Sequence, residues 1–301
     1  MNAVAKRTDI VVANPPYSNY RKFATDHKDR LSQVWGERWV RHSLADEAID
    51  MLWGLVEKPR THRPLSRLLI GDTNCGKTAI ALEFKDLVES ETENEEDRTL
   101  NPIVLVQVPP EGSLIGLYDA ILRAINAPIS KNSVAWRKRD QIVDLLPKTG
   151  VRMVIFDEVQ HALHGGSKEQ SKVLAGIKHL SSTLEIPVVA IGTRDARYAV
   201  QTEPQIGNRL EIFEIKAFEP DENYAKFLHQ LCKGMKLQKE SNFKNIKLVT
   251  QFHALTGGLS GETRKLMARA AENAIMTGKE RIDLESLKEV EWTVPGRRRS
   301  G

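Results

Sequence analysis

The sequence predicts an α/β protein in which a parallel five-stranded sheet is followed by a small helical domain. Short apolar runs rich in valine and isoleucine alternate with helix-length segments, which is typical of strands buried on both faces of a parallel sheet. The strand pattern stops after Pro220, and helical periodicity continues from there. The five apolar runs are residues 68–70, 103–108, 152–156, 187–191 and 210–215.

The composition is that of a soluble globular protein, with 41% hydrophobic and 28% charged residues in a chain of 301. No apolar run approaches the roughly 20 residues needed to span a membrane, and the first nine residues lack the apolar core of a secretory signal. The two cysteines, Cys75 and Cys232, argue against a disulfide framework. We therefore expect a cytoplasmic protein without a membrane partner.

The regions around the predicted sheet differ in character. Residues 1–30 are polar and interrupted by consecutive prolines, which predicts a flexible arm. An amphipathic pattern follows, so we expect packing helices at the start of a core domain over residues 31–218. Residues 219–292 predict a helical lid, and residues 293–301 a basic tail. Within the lid the predicted helices are residues 221–235, 243–255 and 260–276.

A glycine-rich segment follows the first apolar run and fits the phosphate-binding pattern G-x-x-x-x-G-K-[ST] at every fixed position. It stands between a short strand and the start of a helix, as the pattern requires. In such a loop, backbone N–H groups surround the phosphates, Lys77 reaches the β- and γ-phosphates, and the hydroxyl of Thr78 ligates Mg²⁺. The segment predicts a nucleotide site made of Gly71, Asp72, Thr73, Asn74, Cys75, Gly76, Lys77 and Thr78.

Two adjacent carboxylates, Asp157 and Glu158, follow the third apolar run, 79 residues beyond Thr78. Downstream of a phosphate loop, this Walker B pattern assigns Asp157 to the magnesium ion and Glu158 to orienting and deprotonating the attacking water. Two solvated carboxylates at the end of a strand are the open alternative. The run at 103–108, which lies in sequence between the loop and Asp157, argues against a simple nucleotide kinase.

Three further candidate site residues follow the two carboxylates along the sequence. Thr193 ends the fourth apolar run and is a candidate to contact the γ-phosphate or to position the water. Arg209 directly precedes the fifth run and is a candidate to stabilise transition-state charge in a neighbouring subunit's site. Arg264 stands in a Gly-x-x-Arg segment at the start of a helix and is a candidate to sense the γ-phosphate. The alternative for Thr193 is a threonine that simply caps or turns the chain. Taken singly, each arginine is more often a surface charge, and the joint order of the motifs is what favours the two candidate roles.

This order of motifs resembles the AAA+ ATPases over about residues 40–292. Within that group, the segments at 154–161, 187–196 and 207–210 look like the transposon ATPases of the TniB family, relatives of the TnsC target-selection ATPases. The resemblance implies an AAA+ P-loop NTPase core with a helical lid, and it implies ATP and Mg²⁺ as ligands.

The same resemblance implies roles and partners. Thr193 becomes the sensor 1 residue, Arg209 a finger acting in trans, and Arg264 sensor 2. Many AAA+ proteins have asparagine at sensor 1, so threonine there predicts slow turnover. The family further implies homo-oligomers, as rings or filaments, that assemble with ATP on duplex DNA and link a target-selecting adaptor to a transposase.

The residues themselves offer one candidate DNA contact between the second and third strands. Basic side chains there are expected to face the pore of an assembly and to bind phosphates without sequence preference; a solvated helix face is the alternative. Two other functions stay open: a helicase loader, clamp loader or replication initiator of the same class, and a nucleotide-controlled signalling switch without DNA. The candidate DNA residues are Lys131, Arg137, Lys138 and Arg139.

Overall fold

The computed structural model describes residues 17–92, 100–201 and 210–295. Two short 3₁₀ helices, Leu146–Thr149 and Val159–Gly165, flank the third strand. The other elements, in chain order, are α1 (Tyr17–Asp26), α2 (Lys28–Trp35), α3 (Ser43–Val56), β1 (Ser66–Gly71), α4 (Lys77–Glu91), β2 (Ile103–Gln107), α5 (Leu114–Ala124), α6 (Ala135–Leu145), β3 (Met153–Asp157), α7 (Gly166–Leu184), β4 (Val188–Gly192), α8 (Ala196–Gln201), β5 (Leu210–Ile215), α9 (Glu222–Met235), α10 (Ile246–Thr256), α11 (Ser260–Met276) and α12 (Leu284–Lys288).

The chain divides into two compact units. The core unit consists of the described parts of Arg41–Ala217 together with Leu259–Gly261. The helical unit consists of the described parts of Met1–Val40, Phe218–Gly258 and Glu262–Gly301. None of the helices in the described ranges is both long enough and apolar enough to cross a membrane.

The core unit contains a five-stranded sheet in the order β2–β3–β4–β1–β5, with every neighbouring pair parallel. This confirms the predicted parallel five-stranded sheet. The register pairs Gln107 with Asp157 and Ile70 with Gly192, so that β1, β2, β3 and β4 present their carboxyl ends at one edge. Because ligands of open α/β sheets bind beyond the carboxyl ends of the strands, this edge is where a site is expected.

The inner strands are apolar because helices cover both of their faces. Phe156 and Val188 of the inner strands, together with Val104 of the edge strand β2, pack into one cluster with residues of α5, α6 and α7. Their neighbours along the strands, such as Ile155 and Val189, are also fully buried. The edge strand β5 differs, since Glu211 and Glu214 are among its exposed residues, and exposed charges discourage pairing with another strand.

The helical unit is organised around the buried phenol of Tyr224 on α9. Its hydroxyl shares hydrogen bonds with Thr256 Oγ1 at 3.0 Å and Thr263 Oγ1 at 2.9 Å, and these bonds join α9, α10 and α11. Burial raises the pKa of Tyr224, so the group stays a neutral partner in this network. Helices α9, α10 and α11 confirm the predicted small helical domain.

Helices α1 and α2 occupy much of the segment expected to be a flexible arm. Arg30 makes a bidentate ion pair with Glu280, with both N–O distances at 2.7 Å. The indole Nε1 of Trp35 donates a hydrogen bond to Glu272 at 3.2 Å. The expected arm is therefore corrected for residues 17–30, because partners from the far end of the chain hold these helices.

The boundaries of the two units also differ from the predicted domain boundaries, because contacts between residues far apart in sequence determine them. The partners of Trp35 and Arg30 lie 237 and 250 residues away in sequence, a distance that no local pattern reveals. Residues 31–40, expected to begin the core domain, belong to the helical unit. Residues 1–16 of the expected arm and residues 296–301 of the expected basic tail lie outside the described residues.

Candidate active site

The phosphate loop begins where β1 ends at Gly71, and α4 begins within it at Lys77. Gly76 has a φ of 92°, a left-handed conformation that glycine adopts readily. A Cβ at this position would lie 2.8 Å from the hydroxyl of Ser260. Asn74 also has a positive φ, 66°, which asparagine tolerates better than most residues. The turn brings the loop against the N-terminus of α4, whose N–H groups and dipole suit an anion.

The ammonium group of Lys77 is buried in this loop. Its Nζ donates hydrogen bonds to the carbonyl oxygens of Gly71 at 3.0 Å and Asp72 at 2.9 Å. Carbonyl oxygens solvate an ammonium group without neutralising it, so the positive charge remains to attract phosphate. Contact of Lys77 with the β- and γ-phosphates stays a prediction.

The thiol of Cys75 fills the interior of the loop. It is buried beside Gly71, where an added Cβ would lie 2.6 Å from Cys75 Sγ. Burial raises the pKa of the thiol, and the nearby Lys77 opposes that effect. A protonated thiol is a weak nucleophile, so Cys75 acts as packing in the loop.

Asp157 and Thr78 meet at the edge of the sheet, although they come from different elements. The Thr78 hydroxyl donates a hydrogen bond to Asp157 Oδ2 at 2.6 Å, and the backbone N–H of Glu158 donates to Asp157 Oδ1 at 2.8 Å. Asp157 is buried. A hydroxyl and a carboxylate placed this close form an all-oxygen donor set of the kind that Mg²⁺ prefers, so these residues fit the predicted magnesium site.

Glu158 has an unusual backbone conformation, with φ 57° and ψ 39°. A residue with a side chain is strained in this left-handed region, and such strain is concentrated at functional sites. The conformation ends β3 abruptly and starts the 3₁₀ helix Val159–Gly165. As a result the Glu158 carboxylate turns toward Gln160, whose Nε2 donates to Glu158 Oε2.

Thr193 directly follows β4, the strand that lies between β1 and β3. It is half-buried, and its backbone N–H donates to Gln160 Oε1 at 3.2 Å. The predicted sensor 1 residue is thus connected to the predicted base through one intervening side chain. Gln160 was missed from the sequence, and its only signal was an amide three residues after Asp157.

Two more residues beside the loop were also missed. Arg194 forms ion pairs with Asp72 at 3.5 Å and Glu214 at 3.0 Å. Ser260 carries a buried Oγ without a hydrogen-bond partner among the described residues, and the next residue, Gly261, donates its N–H to the carbonyl oxygen of Asn74 at 2.8 Å. Arg194 directly follows Thr193 in sequence, which is the signal that could have identified it, whereas Ser260 lies four residues before Arg264 and carried no such signal.

Arg264, the predicted sensor 2, lies in the first turns of α11 within the helical unit. It is half-buried, and its Nη2 donates a hydrogen bond to the carbonyl oxygen of Gly36 at 2.6 Å and lies 3.5 Å from that of Trp35. These carbonyls end α2, where a cation is favourable. In this structure Arg264 therefore caps a helix of its own unit, and its role toward nucleotide stays a prediction.

The predicted DNA-binding cluster is not a single surface. Lys138 is 1% exposed, and its Nζ contacts Asp119 Oδ1 at 2.5 Å and the carbonyl oxygen of Ser130 at 2.9 Å. The prediction is wrong for Lys138, because its charge is taken up by a buried ion pair. Arg139 pairs with the adjacent Asp140 at 2.8 Å.

The rest of the cluster is accessible. Arg137 is exposed and lies over the ring of Trp136, with its guanidinium carbon 5.1 Å from the ring centroid, and Lys131 is exposed. Arg209, the predicted finger, lies outside the described residues. Across the described ranges, no group of three or more His, Cys, Asp or Glu side chains is arranged to hold a metal ion.

Comparison with known proteins agrees with this geometry. The chain resembles Cdc6p from Pyrobaculum aerophilum, with a TM-score of 0.65 and 15% identity over 90% of this chain and 74% of that one. It also resembles Aeropyrum pernix ORC1 in complex with DNA, with a TM-score of 0.63 and 16% identity over 86% of this chain and 68% of the other.

A third similar structure is Aeropyrum pernix ORC2, described as ADPNP-ADP complexes, with a TM-score of 0.62 and 14% identity over 86% of this chain and 71% of that chain. No curated protein sequence gives a significant match. The family model described as bacterial TniB protein matches residues 30–220, well over half of the chain. This protein therefore belongs to the TniB family and is an ATPase with the AAA+ fold.

Proposed function

We propose that this ATPase regulates DNA transposition by linking duplex target DNA and a target-selecting adaptor to a transposase. The family match supports the process. The observation that carries the proposal is the clustering of Thr78, Asp157 and Glu158 beside the phosphate loop, which equips the chain to hydrolyse ATP. In this proposal hydrolysis limits the lifetime of a DNA-bound oligomer.

In this proposal the loop residues bind the phosphates, and the residues at the strand ends act in hydrolysis. Lys77 and the loop N–H groups bind the β- and γ-phosphates of ATP and orient the terminal phosphate. Mg²⁺, held by the Thr78 hydroxyl and an oxygen of Asp157, would neutralise charge on these phosphates. Glu158 orients a water molecule and accepts its proton as the water oxygen bonds to the γ-phosphorus and the bond to the bridging oxygen breaks. Thr193 contacts the γ-phosphate or the attacking water from β4.

Two arginines would complete the site in an oligomer. Arg209 would stabilise transition-state charge on the nucleotide of a neighbouring subunit, and Arg264 would contact the γ-phosphate from the lid. Mixing Arg209→Ala subunits with Lys77→Ala subunits tests the first role. We expect the mixture to regain part of the activity that each variant lacks alone, whereas an inactive mixture would argue that Arg209 acts within its own subunit.

DNA binding is proposed through phosphate contacts from exposed basic residues. Lys131 and Arg137 remain candidates for these contacts. Arg139 is a weaker candidate, because it is paired with Asp140. The similar ORC1 structure is a complex with DNA, which supports DNA as the ligand. Contacts to phosphates release counterions, so binding should weaken steeply as salt is raised.

The deciding experiment measures the ATPase rate and the sedimentation coefficient with and without duplex DNA, at low salt and with ATP. We expect DNA to raise both values and Lys77→Ala to abolish both effects. If DNA changes neither, the DNA-bound assembly is wrong, and a nucleotide-controlled signalling switch becomes the better explanation.

A loader or replication-initiator role is the second candidate, and the fold similarity to Cdc6p and ORC1 favours it. The two roles differ in the protein that the ATPase would bind, which is a transposase in the first and a replicative helicase in the second. Pull-down with a transposase and with a replicative helicase, each with ATP and duplex DNA, separates them. Retention of the helicase alone would reverse our proposal.

A further inference from the structure

The side chain of Gln160 lies between two residues assigned to hydrolysis. Its Nε2 donates a hydrogen bond to Oε2 of Glu158, and its Oε1 accepts one from the backbone N–H of Thr193 at 3.2 Å. A single amide thus joins the carboxylate that follows β3 to the first residue after β4. Neither the phosphate-loop pattern nor the Walker B pattern includes a residue at this position.

The two partners determine which way the amide points. A backbone N–H is a donor and needs the amide oxygen, whereas an ionised carboxylate is an acceptor and needs the amide NH₂ group. One orientation meets both needs, and the reversed amide would oppose oxygen to oxygen and N–H to N–H. The Thr193 N–H therefore fixes the amide of Gln160, and the fixed amide restricts the position of Glu158 Oε2.

The backbone around this contact is shaped to permit it. The left-handed conformation of Glu158, with φ 57°, starts the 3₁₀ helix that brings Gln160 back over the end of the sheet. On the other side, a Cβ at Gly192 would lie 2.8 Å from Gln160 Oε1 and 3.1 Å from Val159 Cγ1. The amide can approach β4 because residue 192 has no side chain.

We propose that Gln160 is a positioning residue for ATP hydrolysis, holding the carboxylate of Glu158 and coupling it to β4 through Thr193. This inference rests on the proposed role of Glu158 as the base. It has a mechanical consequence, because a shift of Thr193 on contact with the γ-phosphate moves the amide and hence the carboxylate. Hydrolysis then depends on the sensor strand through Gln160.

The first test replaces Gln160 by methionine, which keeps the length of the side chain and removes both hydrogen bonds. We expect kcat to fall by roughly tenfold to a hundredfold, as is common when the partner of a catalytic group is lost. The KM for ATP and the affinity for a fluorescent ATP analogue should change by less than about twofold, because Gln160 does not bind the phosphates. Gln141→Met on α6 is the matched control, since that amide donates a hydrogen bond to the carbonyl oxygen of Pro128, away from the phosphate loop.

A second variant keeps the inference testable if the methionine variant misfolds. Gln160→Glu has the same size and keeps an acceptor for Thr193, but it opposes a second carboxylate to Glu158. We expect its kcat to be lower than that of Gln160→Met, with a melting temperature close to that of the unaltered protein. A normal kcat in either folded variant overturns the inference.

The Glu158→Gln background separates this inference from the proposal on which it rests. If both residues act through one carboxylate, Gln160→Met should cause no further loss of single-turnover rate in that background. A full additional loss, or a fall in ATP affinity instead of kcat, overturns the positioning role. A slow Glu158→Gln with a normal Gln160→Met defeats this inference alone, whereas a normal Glu158→Gln defeats the base assignment as well.

Discussion

Two regions of the core unit carry most of the residues singled out from the sequence, and the structure arranges the residues of these two regions differently. At the carboxyl ends of the strands, the Thr78 hydroxyl donates a hydrogen bond to Asp157, and the preceding residue, Lys77, is buried in the loop. In the basic segment 131–139, by contrast, Lys138 is buried while its neighbour Arg137 is exposed. Residues that are adjacent in sequence therefore lie at one site in the first region, whereas in the basic segment they have different surroundings.

The reason is geometric. A residue at the end of a strand or the start of a helix has its position set by that element, so a motif that includes the element also places the side chain. Consecutive residues on a helix are turned by 100° from one another, so a run of charges on α6 is distributed around the helix. Lys138 then faces Asp119, while Arg137 faces away beside Trp136.

The largest effect is expected at the phosphate loop. Lys77→Ala removes the buried ammonium that attracts the phosphates, so ATP binding and any assembly that depends on it should be lost. Equilibrium binding of a fluorescent ATP analogue and sedimentation with ATP measure the two outcomes. The control is Lys85→Ala on the same helix, whose partner is Glu89. Binding that persists in Lys77→Ala would contradict the assignment of the loop.

The second largest effect is expected on ATP hydrolysis, with ATP binding retained. Glu158→Gln keeps the size of the side chain but cannot accept a proton, so kcat should fall by roughly a hundredfold or more, and ATP affinity should be retained. The oligomer should then persist longer after ATP addition. Phosphate release and time-resolved sedimentation measure these effects. A normal rate would require another residue to be the base.

The success of prediction from sequence follows the same division. The five apolar runs, the loop and Asp157 were predicted because each depends on local pattern. The contact of Gln160 depends on the left-handed backbone of Glu158 and on β4 lying beside β3, neither of which the sequence states. The pairing of Arg264 with the end of α2 likewise depends on tertiary structure.

A smaller effect, on the free energy of unfolding, is expected from replacing Lys138, the buried residue of the basic segment. Lys138→Met retains the apolar stem but leaves Asp119 without its partner, and we expect a loss of about 2 kcal/mol in the free energy of unfolding, since Asp119 keeps partial access to water. Urea unfolding provides the measurement. Arg139→Met is the control, because its pair with Asp140 is largely exposed and should contribute under about 1 kcal/mol. Equal effects in the two variants would contradict the contrast between buried and exposed charges.

The smallest effect tests another contact that only tertiary structure creates, the pair of Arg30 and Glu280 in the helical unit. The hydrogen bonds from Arg30 lower the pKa of Glu280 below its ordinary value of 4.5. The pair therefore stabilises the fold fully above that value, and the stabilisation is lost as the pH falls through the lower pKa of the folded state.

We expect Glu280→Gln to be less stable than the unaltered protein by about 1 kcal/mol at pH 7, where the carboxylate is ionised. The difference should shrink as the pH is lowered below 4.5, because protonation removes the same charge from the unaltered protein. Urea unfolding at a series of pH values measures it. Glu222→Gln is the control, since its pair with Lys226 is exposed and should give no comparable pH dependence. A difference that is constant with pH would mean that Glu280 acts through packing, and the N-terminal helices would then be held by shape instead of by charge.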